Sequence, residues 1–158
     1  MLRAHHDAVL AYALRRATAD DARDVMADTF LVAWRRFDEA SRDRPRAWLY
    51  GVARRVLANR RRAVRRQTSL VHRLESTVAG PSAGDGLILD ALATLSDGDR
   101  EVLLLVAWEG LSVTDAALVL GCRIATARMR LHRARRRLAA QLSDPAPDVR
   151  APSMEPTS

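Results

Sequence analysis

Between Arg123 and Leu142 the chain carries seven arginines and no carboxylate. Guanidinium is the side chain that binds phosphate and the guanine edge through paired N–H donors. A run of this kind on one helix face is the chemistry of nucleic-acid recognition, and a basic helix that is merely solvated is the plainer alternative. The residues that would do covalent chemistry are sparse. Cys122 is the one cysteine, so there is no internal disulfide and no cysteine-built zinc site. His5 and His6 are adjacent and point in different directions on a helix, whereas paired metal ligands want a spacing of three or four. His72 and His132 are isolated, and no glycine-rich phosphate loop is present. An enzyme is the least supported class, and no cofactor, metal or small-molecule substrate is expected.

The elements that would position those arginines are legible. Ser112 followed by Asp115 forms a start resembling a capping box. Gly121 suits the left-handed residue that closes a helix. Ile124, Ala127, Leu131, Ala134 and Leu138 then recur at helical spacing as one apolar stripe. The opposite face holds Ala125, Met129, His132, Arg133 and Arg136, with Arg128, Arg130, Arg135 and Arg137 flanking it. A short helix, a glycine turn and a basic second helix predict a DNA-binding helix-turn-helix.

All 26 basic residues are arginine, and the net charge is +7 with a pI near 11.1, so a polyanion is the natural partner. Positive charge concentrates in residues 1–66 and 123–142. Residues 67–122 are acidic, with Asp90, Asp97, Asp99, Glu101, Glu109 and Asp115; that block is expected to face protein. No apolar run approaches the roughly 20 residues of a membrane span, and the N-terminus has no signal-peptide core. A cytoplasmic chain without membrane insertion is expected.

In chain order, residues 2–17 read as a first helix burying Ala8, Val9, Tyr12 and Ala13. Asp20 or Asp21 would cap a second helix running to about Phe37. Its core face is Ala22, Met26, Phe30, Ala33 and Phe37, flanked by Val25 and Trp34. Its other face aligns Asp24, Asp28, Leu31 and Arg35, either a partner-docking surface or a solvated face with one stray leucine. After a charged loop from Asp38 to Arg44, Pro45 fits the first turn of a third helix. On that helix Leu49, Val52, Ala53, Val56, Leu57, Ala63 and Val64 share one side. Arg54, Arg55, Arg61, Arg62 and Arg65 share the other, with Gly51 and Ala58 as small residues permitting close approach of a backbone. Trp48 and Asn59 lie at the border; Trp48 could stack on an unpaired base or close the core. Arg60 falls near the apolar side and would have to snorkel outward. Residues 67–86 read as a linker, rich in glycine, proline and serine in the second half, with a short helical turn open around Leu70, Val71 and Leu74. About four helices follow, one capped by Ser96 with Asp99 and stopped by Gly110. From about Ser143 the prolines and acids predict a disordered tail. The fold class is all-α: two small helical domains joined by a flexible linker.

Two segments together resemble a known family. Asp24-Val-Met-Ala-Asp-Thr-Phe-Leu-Val-Ala-Trp34 followed by Pro45-Arg-Ala-Trp48-Leu-Tyr-Gly-Val-Ala-Arg54 resembles region 2 of bacterial sigma-70-family initiation factors. Leu95-Ser-Asp-Gly-Asp-Arg-Glu-Val-Leu-Leu-Leu105, with Glu109-Gly-Leu-Ser112 and Arg130-Leu-His-Arg-Ala-Arg135, resembles region 4. With no room for a separate region 3, the chain resembles the extracytoplasmic-function subgroup. Ala27-Asp28 stands where the family usually has Gln-Glu, Arg55 where it often has Asn, and Arg123, which cannot cap as serine does, at the start of the recognition helix.

The resemblance implies region 2 over residues 1–66, a linker over 67–86, region 4 over 87–142 and a tail over 143–158. It implies core RNA polymerase as partner, through its beta-prime coiled coil and beta flap, together with promoter DNA and an anti-sigma factor. Asp24, Asp28, Leu31 and Arg35 would dock on the polymerase. Trp48, Arg54, Arg55, Asn59, Arg61 and Arg62 would contact the −10 element. Thr126, Arg128, Met129, Arg130, Arg133 and Arg136 would contact the −35 element. The competing expectation is a stand-alone helix-turn-helix regulator, which leaves the segment from Trp34 to Arg66 without a role.

Overall fold

The computed structural model describes residues 2–36, 38, 43–68 and 86–143. Expectations that fall on Phe37, on most of the charged loop, on the linker and on the tail beyond Ser143 lie outside those residues. A 3-10 turn at Leu2–His5 leads into α1 (His6–Leu14). It is followed by α2 (Ala19–Arg35), α3 (Pro45–Thr68), α4 (Gly86–Ala93), α5 (Asp97–Ala107), α6 (Val113–Leu120) and α7 (Ile124–Ser143). The described residues contain no strand.

Three helices begin with the same local device. Thr18, Ser96 and Ser112 sit in extended backbone, and their side chains accept from the N–H groups of Asp21, Asp99 and Asp115. Each satisfies one of the donors a first turn leaves unpaired. For α2 this corrects the expected cap: Thr18 takes the role, and Asp21 supplies the N–H. Gly121 ends α6 at φ +63°, where a Cβ would be strained, and its N–H reaches back to Ala117 and Leu118 carbonyls.

The N-terminal helices pack around Val9, Tyr12, Ala13, Val25, Ala33, Leu49, Tyr50 and Ala53, all at most 2% exposed. The rings of Tyr12 and Tyr50 stack at 4.8 Å. Helix α3 outruns this core. Leu49, Val52, Ala53 and Leu57 are buried, but Ala63 and Val64, expected on the same apolar side, are exposed. Among the described residues, none buries the last turns. Trp34 also departs from expectation: it is 73% exposed instead of flanking the core. The C-terminal helices close over Leu92, Leu95, Val102, Leu105, Leu111, Ala116, Val119, Ala127, Leu131 and Ala134. Ile124, at the head of the expected stripe, is 41% exposed.

The two helical groups do not stand apart. Helix α3 packs on α6, and the apolar core runs through both groups. This closure was not part of the expected picture of two modules on a tether.

Candidate nucleic-acid interface

Helix α6, the Gly121 turn and α7 form the expected helix-turn-helix. Ala127, Leu131 and Ala134 fix α7 against α5 and α6, which turns Arg128, Met129, His132 and Arg136 outward. Met129 is 58% exposed on a helix otherwise lined with charge, the arrangement that suits contact with a base edge or a thymine methyl. Thr126 and Arg130 are half-buried. The Arg130 guanidinium lies over Gly98, where an added Cβ would meet its Cζ at 3.2 Å.

Arg133 has a different neighbour from the one expected. Its Nη2 donates to Asp99 Oδ1 at 2.9 Å, and that carboxylate is almost fully buried at the start of α5. Arg133 therefore ties the recognition helix to the helix beneath it. Further along, Gln141 Nε2 donates to Thr94 Oγ1 at 2.9 Å, fixing the far end of α7.

On α3, Arg54, Arg55, Asn59 and Arg62 are exposed, and Trp48 is half-buried against the core. Arg61 is exposed but donates from Nη2 to the Arg16 carbonyl at 2.8 Å. Gly51 lies in the middle of this arginine face. The backbone that approaches it belongs to α6: a Cβ built on Gly51 would sit 3.9 Å from the Val119 Cα. The small residue expected to admit a nucleic-acid backbone admits a helix of the same chain in this structure.

The candidate docking face on α2 is likewise partly engaged. Arg60 reaches across from α3, donating to Asp28 Oδ2 at 3.1 Å and to Asp24 Oδ2 at 3.3 Å, with Asp21 at 3.8 Å. Burial would lower the basicity of this guanidinium, but the hydrogen bond and charge of Asp28, then Asp24, raise it overall. So the arginine that looked misplaced on the apolar side clamps α2 to α3. Leu31 and Arg35 remain exposed, and Trp34 stands beside Leu31. Sequence reasoning missed Trp34 as a candidate contact. Its position at the edge of the apolar face, three residues from Leu31, was the available signal.

Between the two helical groups lies a charged cluster. Arg16 is 9% exposed and Glu109 is 7% exposed. Arg16 Nη1 donates to Glu109 Oε1 at 3.1 Å, and its Nε donates to Glu101 Oε1 at 3.1 Å. Arg15 Nη1 donates to both Glu109 oxygens, at 3.0 and 2.9 Å. Tyr12 donates its hydroxyl to Glu101 Oε1 at 3.1 Å, and the Arg16 guanidinium lies 3.7 Å from the Tyr12 ring centre. Burial first, then the Glu101 charge, hold the Tyr12 hydroxyl far above the usual tyrosine range. At the rim, Arg44 Nη1 donates to Asp115 Oδ1 at 2.7 Å, and Arg46 Nη2 donates to the Glu109 carbonyl at 3.0 Å. Of the acidic block expected to face protein, Glu101, Glu109 and Asp115 thus face the first half of their own chain, while Asp97 and Asp99 pair with Arg100 and Arg133 of the second.

A family model described as Sigma-70 region 2 matches residues 1–67, and one described as Sigma-70, region 4 matches residues 85–138. The chain belongs to the sigma-70 family. Its relatives place this sigma factor in the extracytoplasmic-function branch. It is 37% identical to the extracytoplasmic-function sigma factor SigL of Mycobacterium tuberculosis, over 88% of this chain and 85% of that one. It is 34% identical to the sigma factor CnrH of Cupriavidus metallidurans, over 88% of this chain and 83% of that one. Among solved structures it is similar to the sigma factor RpoE in complex with the anti-sigma factor NepR from Bartonella quintana. That match has a TM-score of 0.71 and 30% identity, and covers 91% of this chain and 95% of that one. CnrH in complex with the cytosolic domain of CnrY gives a TM-score of 0.61 at 33% identity, over 88% and 83% of the two chains.

A sigma factor is a non-enzymatic initiation factor that acts with core RNA polymerase in promoter-directed transcription. The ordered match to both regions sets aside the stand-alone regulator. Among the described residues, no helix is long and apolar enough to cross a membrane, and no group of three or more histidine, cysteine or acidic side chains could hold a metal ion.

Proposed function

We propose that this sigma factor divides its work as the charge pattern divides the chain. Residues 1–66 act as the polymerase-docking and −10 module, residues 67–86 as the linker, residues 87–142 as the −35 module and residues 143–158 as a tail. Helix α7 reads the −35 element in the major groove, led by Arg128, Met129 and Arg136, with Thr126 and Arg130 beside them. Arg133 contributes from the side while tied to Asp99. Helix α3 engages the −10 element through Trp48, Arg54, Arg55, Asn59, Arg61 and Arg62. The face of α2 holding Asp24, Asp28, Leu31 and Arg35 docks on the beta-prime coiled coil, and the exposed ring of Trp34 adds apolar area to it. The beta flap is the expected contact of the C-terminal module. Core polymerase sets the location as cytoplasmic. An anti-sigma factor is a further partner, in keeping with the complexes in which RpoE and CnrH were solved.

The observation that carries this reading is the outward face of α7. Exposed Met129 and arginines follow a glycine turn, on a helix whose opposite side is fixed in the core. Run-off transcription from genomic fragments with core polymerase plus the chain tests it. Promoter-specific transcripts are expected, and the Met129→Glu variant should lose them at promoters that keep the same −10 element. Absence of any specific transcript, together with absence of core binding, overturns the reading.

A further inference from the structure

We propose that Asp99 is a specificity-determining residue of this sigma factor. As a positioning residue it holds the charge of Arg133 away from the DNA phosphates, so that discrimination among −35 sequences rests on Arg128, Met129 and Arg136. This rests on the proposed reading of α7 as the −35 helix. Arg130, Arg133 and Arg137 fall at i, i+3 and i+7 along one edge of α7. Residues 94–99 receive all three. The Arg130 guanidinium lies over Gly98, Arg133 Nη2 donates to Asp99 Oδ1 at 2.9 Å, and Arg137 Nη1 donates to the Thr94 carbonyl at 3.5 Å. Arg128 and Arg136, on other edges of the helix, are exposed and have no such neighbour among the described residues.

The three received arginines are not held alike. Arg130 and Arg137 meet a glycine and a carbonyl, which leave their charge unmatched. Arg133 alone meets a carboxylate, and that carboxylate is 5% exposed. The Arg133 side chain is itself 57% exposed and stands one turn beyond Met129, so pairing and not burial keeps it from DNA. A phosphate that recruited it would strand the Asp99 charge in a poor environment. Phosphate contacts position a protein without reading sequence. Asp99 therefore subtracts affinity that every DNA would share and leaves base reading intact. Asp99 is also the one acid lining an open groove of about 570 Å³ between α5 and α7, whose other walls are Ser96, Arg133, Arg136, Arg137 and Ala140. Without its charge three guanidiniums face one another there, and their repulsion turns Arg133 outward.

Competition binding with holoenzyme assembled from core polymerase and the full-length chain tests this. The probes are a promoter duplex recovered by run-off transcription and the same duplex with its −35 element scrambled and its −10 element kept. Each phosphate neutralised steepens the fall of log affinity with log salt by about 0.9, which is about 3-fold between about 50 and 200 mM salt. Asp99→Asn should tighten binding to the scrambled duplex at low salt, lower the ratio of matched to scrambled affinity, and lose that additional 3-fold as salt rises. Asp99→Glu, which keeps the charge, should retain the wild-type ratio. Asp99→Asn combined with Arg133→Ala should lose the gain. Arg133→Ala alone should leave the salt dependence unchanged. A purely structural Asp99 would instead weaken both duplexes alike without steepening the salt dependence, and that result overturns the proposal. So does a gain that survives Arg133→Ala, or a shallower salt dependence in Arg133→Ala alone, which would place Arg133 on a phosphate already. A wild-type holoenzyme that binds both duplexes equally would remove the −35 reading of α7 and the proposal with it.

Discussion

The guanidinium of Arg16 and the carboxylate of Glu109 meet at 3.1 Å across 93 positions of sequence, both nearly sealed from water. Removing Arg16 takes one of two guanidiniums from the buried Glu109 carboxylate, Arg15 staying in place, and also unpairs Glu101, so the loss should fall below the roughly 3–5 kcal/mol of a buried charge left with no partner. Replacing both by apolar residues of similar size is often neutral. Arg16→Ala should therefore lower the thermal midpoint of the closed chain clearly, while Arg16→Met combined with Glu109→Leu should recover most of the loss. Calorimetry of the singles and the double completes the cycle. Additive losses would show that the two residues act independently.

Arg133 and Arg136 should separate stability from reading. Arg133→Ala leaves the buried Asp99 carboxylate without its partner, at a cost of about 1–3 kcal/mol. Arg136, exposed and facing outward, has no such partner among the described residues. Arg136→Ala should leave the urea midpoint within error and weaken the −35 footprint. Footprinting and urea titration on the two variants should show a lowered midpoint for Arg133→Ala alone, with the larger footprint loss in Arg136→Ala.

Gly121→Ala places a Cβ on a residue at φ +63°. The left-handed region costs an L-residue about 1–2 kcal/mol. Open space surrounds the site, so strain and not collision sets the effect. Equilibrium denaturation should show that loss, and the recognition helix should bind less tightly in proportion. An unchanged midpoint would mean that the turn relaxes.

Ser112→Ala should cost about 0.5–2 kcal/mol by removing the acceptor for the Asp115 N–H. Ser112→Asp keeps an acceptor and should restore stability. Chemical denaturation distinguishes a cap from a mere surface hydroxyl, since the latter would make both substitutions silent.

The chain has two tyrosines, and both are raised, Tyr12 strongly, with burial as the leading cause. A group whose folded value exceeds its unfolded one favours folding fully below the unfolded value. That contribution declines once the unfolded tyrosine ionises, at about pH 10. Tyrosinate absorbance should stay low past that point and then rise together with loss of helicity. A normal titration of both rings in the folded chain would contradict the buried stack.

What sequence made legible were the features decided within a few residues. Ser96, Ser112, Gly121 and Pro45 mark helix ends because cap and turn chemistry is local. The stripe through Ala127, Leu131 and Ala134 is visible because periodicity is local too. The neighbours of Arg60 and Gly51 were not legible for the opposite reason. The partners of Arg60 are Asp24 and Asp28 on another helix, and the neighbour of Gly51 is Val119, beyond the linker. Trp34 was placed in the core because a wheel assigns faces without knowing how wide the covering helices are. Closure of the two modules depends on ion pairs 71 to 94 residues apart, a scale on which no spacing rule operates.

The unsupported end of α3 has its own consequence. From Arg62 to Gln67 every residue is exposed, so beyond the hydrogen bond of Arg61 to the Arg16 carbonyl this stretch owes its helicity to local propensity more than to packing. Its crowded arginines, Arg61, Arg62, Arg65 and Arg66, repel one another along the last two turns. Fraying there is governed by counterions: added salt or a bound polyanion lengthens the helix, and low ionic strength shortens it. The chain thus carries a rod whose ordered length is set by the ionic atmosphere around it.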